Sequence, residues 1–309
     1  MECGSNRGRS GKVKLPSKFR SLDAPESTVL TTFSLSGGLG SGCIAEMLIH
    51  GDLKVETDFV AITADPGMED PRTYDYLADL HERLSASGIE HRTVKTDLYG
   101  ELLKAIKDPK AKRFDLPPFW TKDPETGKRG RLLQQCTGAY KIAPMKRIVR
   151  DVLEERHGIG RKTTRMPANT VRTWIGFSAD ETQRIKECPD KFVFWQYPLV
   201  ALGMNRGDLV EYYRKIGRKI PPRSVCAACF ANDLDYFREM HKNRPESWAQ
   251  AVAVDDAIRE GGLQKFNVRN ECYVSSTLVP LRKLAEDDFQ VGEQPLLDWA
   301  QCNSGHCFI

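Results

Sequence analysis

The chain has 309 residues, of which 40% are hydrophobic and 28% charged, and its formal net charge is +4. This profile indicates a globular protein with one large domain and room for a smaller one, and no apolar run approaches the length of a membrane span. The mild positive charge permits contact with nucleic acid but does not demand it. The basic, polar N-terminus lacks the apolar core of a secretory signal, so we expect a cytoplasmic protein whose nine cysteines stay reduced.

Residues 1–27 carry Lys and Arg among Gly, Ser and Pro, and we expect a flexible basic tail there. The main α/β domain is predicted over residues 28–204. It opens with a strand over 29–35, the glycine-rich turn Ser36-Gly37-Gly38-Leu39-Gly40-Ser41, and a helix over 42–49. A glycine-rich turn that leads into a helix N-terminus is suited to bind anions. A plain strand-to-helix turn also favours Gly and Ser, so the pattern alone leaves both interpretations open.

A second strand is predicted over residues 58–63, followed by Asp65-Pro66-Gly67 and by a helix that begins near Pro71. A third strand is predicted around 91–94. Strands that alternate with helices predict a doubly wound, mostly parallel sheet, in which ligands bind beyond the carboxyl ends of the strands. The glycine-rich turn and Asp65 both lie on that edge, although an Asp-Pro-Gly turn that caps a helix is an equally ordinary use of Asp65.

Residues 107–131 are rich in Lys, Arg and Pro, and a long surface loop is predicted there. Within it, Phe119 and Trp120 lie between basic residues. Such aromatic side chains could stack on a nucleic-acid base or could anchor the loop to the core, and the sequence leaves both roles open.

Lys141 lies just before a helix predicted over residues 146–155. The N-terminal end of a helix favours anions, so a cation there indicates a role in holding a phosphate. Further along, an apolar strand over residues 171–177 leads into Ser178. With Glu181 three positions later, Ser178 is predicted to form a capping box.

The last part of the chain, residues 205–309, is predicted to be a helical lobe that carries cysteines. Its Cys226-Ala227-Ala228-Cys229 pair can ligate one metal centre, and further ligands would come from other cysteines. The candidates for those further ligands are Cys136, Cys188, Cys272, Cys302 and Cys307. In one arrangement Cys302-Asn303-Ser304-Gly305-His306-Cys307 completes a structural zinc site. A lone cysteine such as Cys43 is more often a small buried residue.

Several of these segments, in this order, resemble the PP-loop ATP pyrophosphatase superfamily, and within it the sulfonucleotide (PAPS/APS) reductase-like branch. Ser36-Gly37-Gly38-Leu39-Gly40-Ser41 resembles the Ser-Gly-Gly-x-Asp-Ser loop of that superfamily, with Gly40 in place of the Asp. The resemblance implies an adenine nucleotide alpha-hydrolase-like fold. It also implies ATP, or adenylyl sulfate, as the ligand, with Mg²⁺ as its companion and the phosphates on Ser36, Gly37, Gly38, Gly40 and Ser41.

Two further segments carry the resemblance. Residues 64–74 resemble the Asp-Thr-Gly-x-Glu-x-x-x-Thr-x-Tyr segment that lies beside the adenylyl group in sulfonucleotide reductases, which implies nucleotide contacts for Asp65 and, more loosely, Glu69. Residues 176–184 resemble the Gly-x-Arg-x-x-Glu-Ser-x-x-Arg motif. Ser178 replaces the first Arg of that motif, so only Arg184 carries over as a group facing the nucleotide phosphates.

Residues 135–145 resemble the Cys-Cys-x-x-x-Lys-x-x-Pro-Leu segment of assimilatory adenylyl-sulfate reductases, which together with a later Cys-x-x-Cys pair binds a [4Fe–4S] cluster. Gln135 replaces one cysteine here. The resemblance therefore implies a cluster held by Cys136, Cys226 and Cys229 with one iron open, or with Cys302 as a fourth ligand. Cys307 is a candidate mobile nucleophile that carries sulfur. Zinc stays as the alternative metal.

From this resemblance we predict an enzyme that transfers sulfur onto a nucleobase or nucleic acid. ATP would adenylate an oxygen of the acceptor, and sulfide would then displace AMP, with Cys136, Lys141 and Cys307 as catalytic candidates. Sulfide or a sulfur donor protein would be the partner, and a homodimer is open. Two alternatives are a reductase of adenylyl sulfate and a non-catalytic nucleotide- or nucleic-acid-binding module, with which Gly40 is consistent.

Overall fold

The computed structural model describes residues 16–160 and 166–290. The strands are β1 (Leu30–Ser34), β2 (Asp58–Asp65), β3 (His91–Lys95), β4 (Trp120–Lys122), β5 (Arg129–Arg131), β6 (Val171–Trp174), β7 (Val193–Gln196) and β8 (Glu271–Tyr273). The helices are α1 (Leu39–His50), α2 (Pro71–Ala86), α3 (Leu98–Lys107), α4 (Ala143–His157), α5 (Pro198–Ala201), α6 (Arg206–Lys215), α7 (Leu234–Asn243), α8 (Pro245–Ala257) and α9 (Leu281–Glu286). In these parts of the chain, no helix has both the length and the apolar character needed to cross a membrane.

The main sheet has five parallel strands in the order β3-β2-β1-β6-β7. Leu30 of β1 lies opposite Asp58 of β2 on one side and opposite Val171 of β6 on the other. The strand order therefore reverses between β1 and β6. Open α/β sheets bind ligands beyond the carboxyl ends of the strands at such a reversal. This topology confirms the predicted fold class, a doubly wound parallel α/β sheet.

Helices cover both faces of this sheet, and successive side chains of a strand point to opposite faces. On one face Phe33 packs with Leu80 of α2 and Leu209 of α6. On the other face Leu30 packs with Val152 of α4. Burial on both sides explains why β1 is buried along its whole length. Because α6 lies beyond residue 204, elements from both sides of that predicted boundary share one core.

A second, antiparallel sheet has the order β5-β4-β8. The prediction of a surface loop over residues 107–131 is therefore wrong in part, because that segment contains the β4–β5 hairpin, and β8 pairs with β4 from far along the chain. Phe119 is fully buried, and the indole N–H of Trp120 donates to the Phe230 carbonyl oxygen at 2.9 Å. Of the two roles that the sequence left open, these contacts favour anchoring of the segment over stacking on a base.

The segment that carries the Cys-x-x-Cys pair lies against the loop after β2. The Asp70 N–H donates to the Val225 carbonyl oxygen at 3.2 Å, and the Ala227 N–H donates to the Met68 carbonyl oxygen at 2.9 Å. Glu69 and Cys226 form an isolated antiparallel bridge between these two bonds. Backbone pairing therefore places the cysteines at the carboxyl edge of the main sheet.

A buried carboxylate strengthens this contact. The side chain of Asp70 is fully buried; it caps α2 by accepting from the Arg72 N–H at 3.0 Å. It also pairs with Arg244, and the Tyr236 hydroxyl donates to it at 2.8 Å. Burial alone would raise its pKa, but the hydrogen bonds from Arg72 and Tyr236, with the Arg244 charge, hold the pKa below its usual value. Asp70 thus ties α2 to the helices that follow the cysteine pair.

Candidate functional site

The glycine-rich turn joins β1 to α1, which begins at Leu39, earlier than the predicted residue 42, with Gly38 as its N-cap. Gly37 has a φ of 76°, which side-chain-bearing residues rarely adopt. The Ser36 N–H donates to the Ser41 hydroxyl oxygen at 3.2 Å, and the two hydroxyl oxygens lie 3.0 Å apart, so the ends of the turn are joined. The first N–H groups of a helix have no carbonyl partner within it, and the turn therefore offers donors to an anion.

Gly40 stands where the superfamily loop has an Asp, and the structure gives a physical reason for the glycine. A Cβ atom on Gly40 would lie 2.0 Å from the carbonyl oxygen of Gly176, which follows β6. Conversely, a Cβ atom on Gly176 would lie 2.5 Å from the backbone nitrogen of Ser41. The two chains touch backbone to backbone where the strand order reverses. A carboxylate at position 40 does not fit this contact.

A pocket, which we call the rim pocket, lies beyond the carboxyl ends of β1 and β2. Its empty volume, including its open mouth, is about 380 Å³, and its lining includes Ser36, Asp65, Glu69, Tyr74, Lys141 and Met145. The Asp65 carboxylate accepts hydrogen bonds from the Tyr74 hydroxyl at 2.7 Å and from the Gly67 N–H at 2.9 Å. Asp65 therefore shapes its turn and also lines the pocket, so the two interpretations of this residue are compatible.

Lys141 lies in a π-helical turn, Gly138–Ile142, immediately before α4. Such turns are frequent at functional sites. Its Nζ is 3.1 Å from Oε1 of Glu69, and only 17% and 5% of the two side chains are exposed. Burial works to lower the pKa of Lys141, but the charge of Glu69 and its hydrogen bond raise it above the ordinary value, so the side chain stays a cation.

A second pocket, which we call the thiol pocket, adjoins the rim pocket at Lys141 and is lined by Cys136, Cys226 and Cys229. Its empty volume, including its mouth, is about 600 Å³. Cys136 precedes the π-helical turn, and the other two cysteines come from a turn in which the Cys229 N–H donates to the Cys226 carbonyl oxygen at 3.0 Å. The side-chain amide of Asn232 donates to that same carbonyl oxygen at 3.1 Å. The three cysteines that the resemblance groups together therefore share one pocket.

Burial controls the ionisation of these thiols. It raises the pKa of Cys229 to about 11 and also raises the pKa values of Cys136 and Cys226. The Glu69 carboxylate, whose Oε1 lies 3.8 Å from the Cys226 sulfur, raises the pKa of Cys226 further, whereas the Lys141 charge lowers it. The thiols are thus protonated without a metal, and a metal centre would displace their protons on binding.

The arrangement of these side chains limits the kind of metal centre that they can bind. Across residues 16–160 and 166–290, no group of three or more His, Cys, Asp or Glu side chains is arranged to hold a metal ion. A zinc ion gathers four ligands around one point, whereas the thiolates of a [4Fe–4S] cluster bind separate irons and stand further apart. The three thiols line one pocket but do not meet around one point, so within the described residues they do not form a zinc site. Cys302 and Cys307, the expected fourth ligand and nucleophile, lie outside the described residues.

Some predicted site residues line neither pocket, namely Arg184 and, in the glycine-rich turn, Gly37, Gly38, Gly40 and Ser41; of that turn, Ser36 lines the rim pocket. Arg184 pairs with Glu181, and its guanidinium lies 4.1 Å from the centre of the Phe177 ring. Ser178 and Glu181 form the predicted capping box. Arg184 is not among the residues that line the rim pocket, so its place favours the structural interpretation of this segment.

The remaining cysteines of the described chain lie elsewhere. Cys43 and Cys272 are buried in two separate cores, as expected for lone cysteines. Cys188 lines a third pocket, which we call the sheet-face pocket, between α4 and the main sheet. This pocket is mainly apolar, has an empty volume of about 520 Å³ including its mouth, and shares Met145 with the rim pocket.

Two residues that support the thiol pocket were missing from the predicted site. The Tyr99 hydroxyl, in the fully buried side chain of an α3 residue, donates to the Ala228 carbonyl oxygen at 3.1 Å and so fixes the cysteine turn. No local pattern marks Tyr99, because α3 has an ordinary amphipathic sequence. Asn232 follows Cys229 closely, and an Asn just after a turn is a signal that could have been used.

No protein-family model and no curated protein matches the chain. Among solved structures it is similar to the U34-tRNA thiolase NcsA from Methanococcus maripaludis with its [4Fe–4S] cluster, at 12% identity and a TM-score of 0.39, over 90% of this chain and 87% of that one. It is also similar to the NH3-dependent NAD synthetase from Campylobacter jejuni in complex with the nitrate ion (9% identity, TM-score 0.35, 77% and 87% covered). NMN synthetase from Francisella tularensis is a third (11% identity, TM-score 0.32, 87% and 90% covered). Similarities at this level establish neither a family nor a function for the chain.

Proposed function

We propose that the protein is an adenine-nucleotide-dependent sulfurtransferase that thiolates a base of a nucleic acid. The observation that carries this proposal is the adjacency of the rim pocket and the thiol pocket, which meet at the buried cation Lys141. An anion-binding turn beside three grouped thiols is what activation by ATP, followed by delivery of sulfur, requires.

In this proposal the ATP phosphates bind at the glycine-rich turn, where N–H groups of α1 and the Lys141 ammonium face them. Asp65 is the carboxylate at this edge for the accompanying Mg²⁺, since position 40 cannot carry one. The sheet-face pocket, which is mainly apolar and shares the lining residue Met145 with the rim pocket, would offer space for the adenine ring.

The reaction has two displacements. A carbonyl oxygen of the acceptor base attacks the α-phosphorus of ATP. The bond from that phosphorus to the oxygen bridging the α- and β-phosphates breaks, and pyrophosphate leaves. Sulfide then bonds to the activated carbon, the C–O bond breaks, and AMP leaves. The turn N–H groups and Lys141 stabilise the negative charge that builds on the phosphates. Glu69, 3.1 Å from Lys141, positions that cation between the two pockets.

Cys136, Cys226 and Cys229, as thiolates, would hold the [4Fe–4S] cluster. Bound by three thiolates, such a cluster supplies one open iron at which sulfide can bind. Sulfide itself would come from solution or from a sulfur donor protein. Whether Cys302 adds a ligand, whether Cys307 carries sulfur and whether the protein is a homodimer remain predictions from the sequence.

A nucleotide- or nucleic-acid-binding module without catalysis is the second candidate. The observation that favours it is the backbone contact between Gly40 and Gly176, which removes the loop carboxylate from the site. In that case the rim pocket would bind ATP without splitting it.

The test is to incubate anaerobically purified protein with ATP, Mg²⁺, sulfide and unmodified RNA, and to quantify thionucleosides, AMP and pyrophosphate. Lys141→Met and Cys226→Ser are expected to lower thionucleoside formation at least about 100-fold. Arg147→Met, an exposed position of the same helix, and Cys43→Ala, in another core, are expected to retain it. ATP binding without AMP under any sulfur supply would favour the binding module. Sulfite release from adenylyl sulfate without ATP would identify a reductase.

A further inference from the structure

The antiparallel sheet β5-β4-β8 gathers positive charge on one face. Trp120 lies opposite Arg131, and Lys122 lies opposite Arg129, in the pairing of β4 with β5. Because alternate residues of a strand point to the same side, these side chains share one face of the sheet. Like charges directly across a strand pair oppose pairing, and Glu271, opposite Lys122 on β8, offsets this only in part.

An open groove runs beside this face, with an empty volume of about 900 Å³ including its mouth. Its lining includes the exposed cations Lys128, Arg131 and Arg269 and the partly exposed Arg129. The carboxylate in the lining is Asp123, and its Oδ1 already accepts hydrogen bonds from the backbone N–H groups of residues 125 and 126 at 3.1 and 2.8 Å. The groove is therefore strongly basic, although the net charge of the whole chain is only +4.

Two of the cations in the groove are held in place by neighbours. The guanidinium of Arg129 lies 4.8 Å from the centre of the Trp120 ring, and Arg129 also donates to the Ser276 carbonyl oxygen. The guanidinium of Arg131 lies 4.9 Å from the centre of the Phe230 ring. A planar guanidinium that is already positioned loses less entropy when it binds phosphate oxygens in bidentate fashion.

The groove lies next to the thiol pocket. Phe230, which Arg131 covers, lines that pocket, and its carbonyl oxygen accepts the hydrogen bond from Trp120. The chain that leaves β5 at Arg131 also runs directly to Cys136. The groove and the thiol pocket are therefore neighbours, separated by the contact of Arg131 with Phe230.

We propose that this basic groove binds the phosphodiester backbone of a single-stranded nucleic acid and leads one of its bases to the thiol pocket. The proposal rests on the sulfurtransferase function above, and it names the surface that holds the acceptor. A guanidinium fork can bind carboxylate or phosphate oxygens, and a nucleic acid is favoured here because it is the acceptor in the proposed reaction. A single strand fits because a base must leave its stack before it can enter a pocket.

The test measures binding of a fluorescein-labelled 12-mer oligouridylate to the full chain by anisotropy, between 50 and 200 mM KCl, without ATP or sulfide. The variant Lys128→Gln/Arg131→Gln/Arg269→Gln should lose about two units of the slope of log K against log salt, because each phosphate contact in a single strand contributes about 0.7. At 0.1 M salt this corresponds to roughly 100-fold weaker binding.

The control removes three exposed lysines far from the small sheet, by Lys54→Gln/Lys215→Gln/Lys219→Gln, and is expected to bind like the wild type. Equal slopes and affinities for the two triple variants would refute the proposal that the groove binds nucleic acid. Competition by polyglutamate as strong as that by unlabelled oligonucleotide would refute it too. The affinity for a deoxyoligonucleotide of the same length shows whether the groove prefers RNA or DNA, since both have a phosphodiester backbone. If the groove variant loses oligonucleotide binding but the wild type produces no thionucleoside, the proposed binding groove is supported and the proposed sulfurtransferase function is refuted.

Discussion

Replacement of Gly40 by alanine tests the crossing of the two backbones beside the glycine-rich turn. The added methyl carbon would lie 2.0 Å from the Gly176 carbonyl oxygen, and since that atom belongs to the backbone, only a shift of the chain relieves the overlap. Overpacking of this kind costs about 3 kcal/mol. At about 2 °C per kcal/mol for a chain of this size, the Tm should fall by about 6 °C. In the interior of an ordinary helix, replacement of glycine by alanine stabilises the protein by about 0.5–1 kcal/mol, so the sign of the stability change distinguishes the two cases.

The matched control for that prediction is Gly38→Ala in the same turn. A Cβ atom there meets its nearest neighbours, in Ser36 and Ser224, at 3.7 and 3.8 Å, which is ordinary contact. Loss of the glycine N-cap should cost no more than about 1 kcal/mol. Differential scanning fluorimetry and urea denaturation measure both variants. A Gly40→Ala protein as stable as the Gly38→Ala protein would refute the backbone contact, and with it the reason given for the missing carboxylate.

Two further predictions concern stability. Burial, with the charge of His91, lowers the pKa of His81 to about 4. In the unfolded chain the His81 imidazole binds a proton below about pH 6.5, whereas in the folded protein it stays neutral down to about pH 4, so stability falls as the pH falls. Between pH 7 and pH 5 the free energy of unfolding of the wild type should therefore fall by about 1 kcal/mol more than that of His81→Gln, after allowance for solvent screening. Equal losses in urea titrations at the two pH values would contradict this. Asp70→Ala should cost about 3 kcal/mol, because α2 loses its cap and the buried Arg244 and Tyr236 lose their shared acceptor, although Arg244 keeps its pair with Glu239. Glu211→Ala, in an exposed pair, should cost under about 1 kcal/mol, and similar urea midpoints for the two variants would count against the buried network.

The main sheet could be predicted because its signals are local. The segments that form β2 and β6 are short apolar runs, and a helix follows β2 in the chain. These patterns were enough to predict strands that alternate with helices. Boundaries were less predictable. The strand predicted over residues 171–177 ends at Trp174, because the chain must turn at Gly176 to pass the glycine-rich turn.

The small sheet could not be predicted, because each of its strands has three residues and β8 joins β4 from far along the chain. The site divides in the same way. The glycine-rich turn and the spacing of the cysteines can be recognised in the sequence. The contact of Lys141 with Glu69 depends on a π-helical turn, which no residue pattern predicts. The role of Tyr99 beneath the cysteine turn likewise depends on tertiary packing alone.

Iron and acid-labile sulfide analysis of anaerobically purified protein, together with its visible absorption spectrum, shows whether the three thiols hold a [4Fe–4S] cluster. We expect roughly four irons and four sulfides per chain. Both are expected to be lost in Cys136→Ala, Cys226→Ala and Cys229→Ala and kept in Cys43→Ala. A colourless protein that holds stoichiometric zinc, or a cluster that survives in Cys136→Ala, would contradict this expectation.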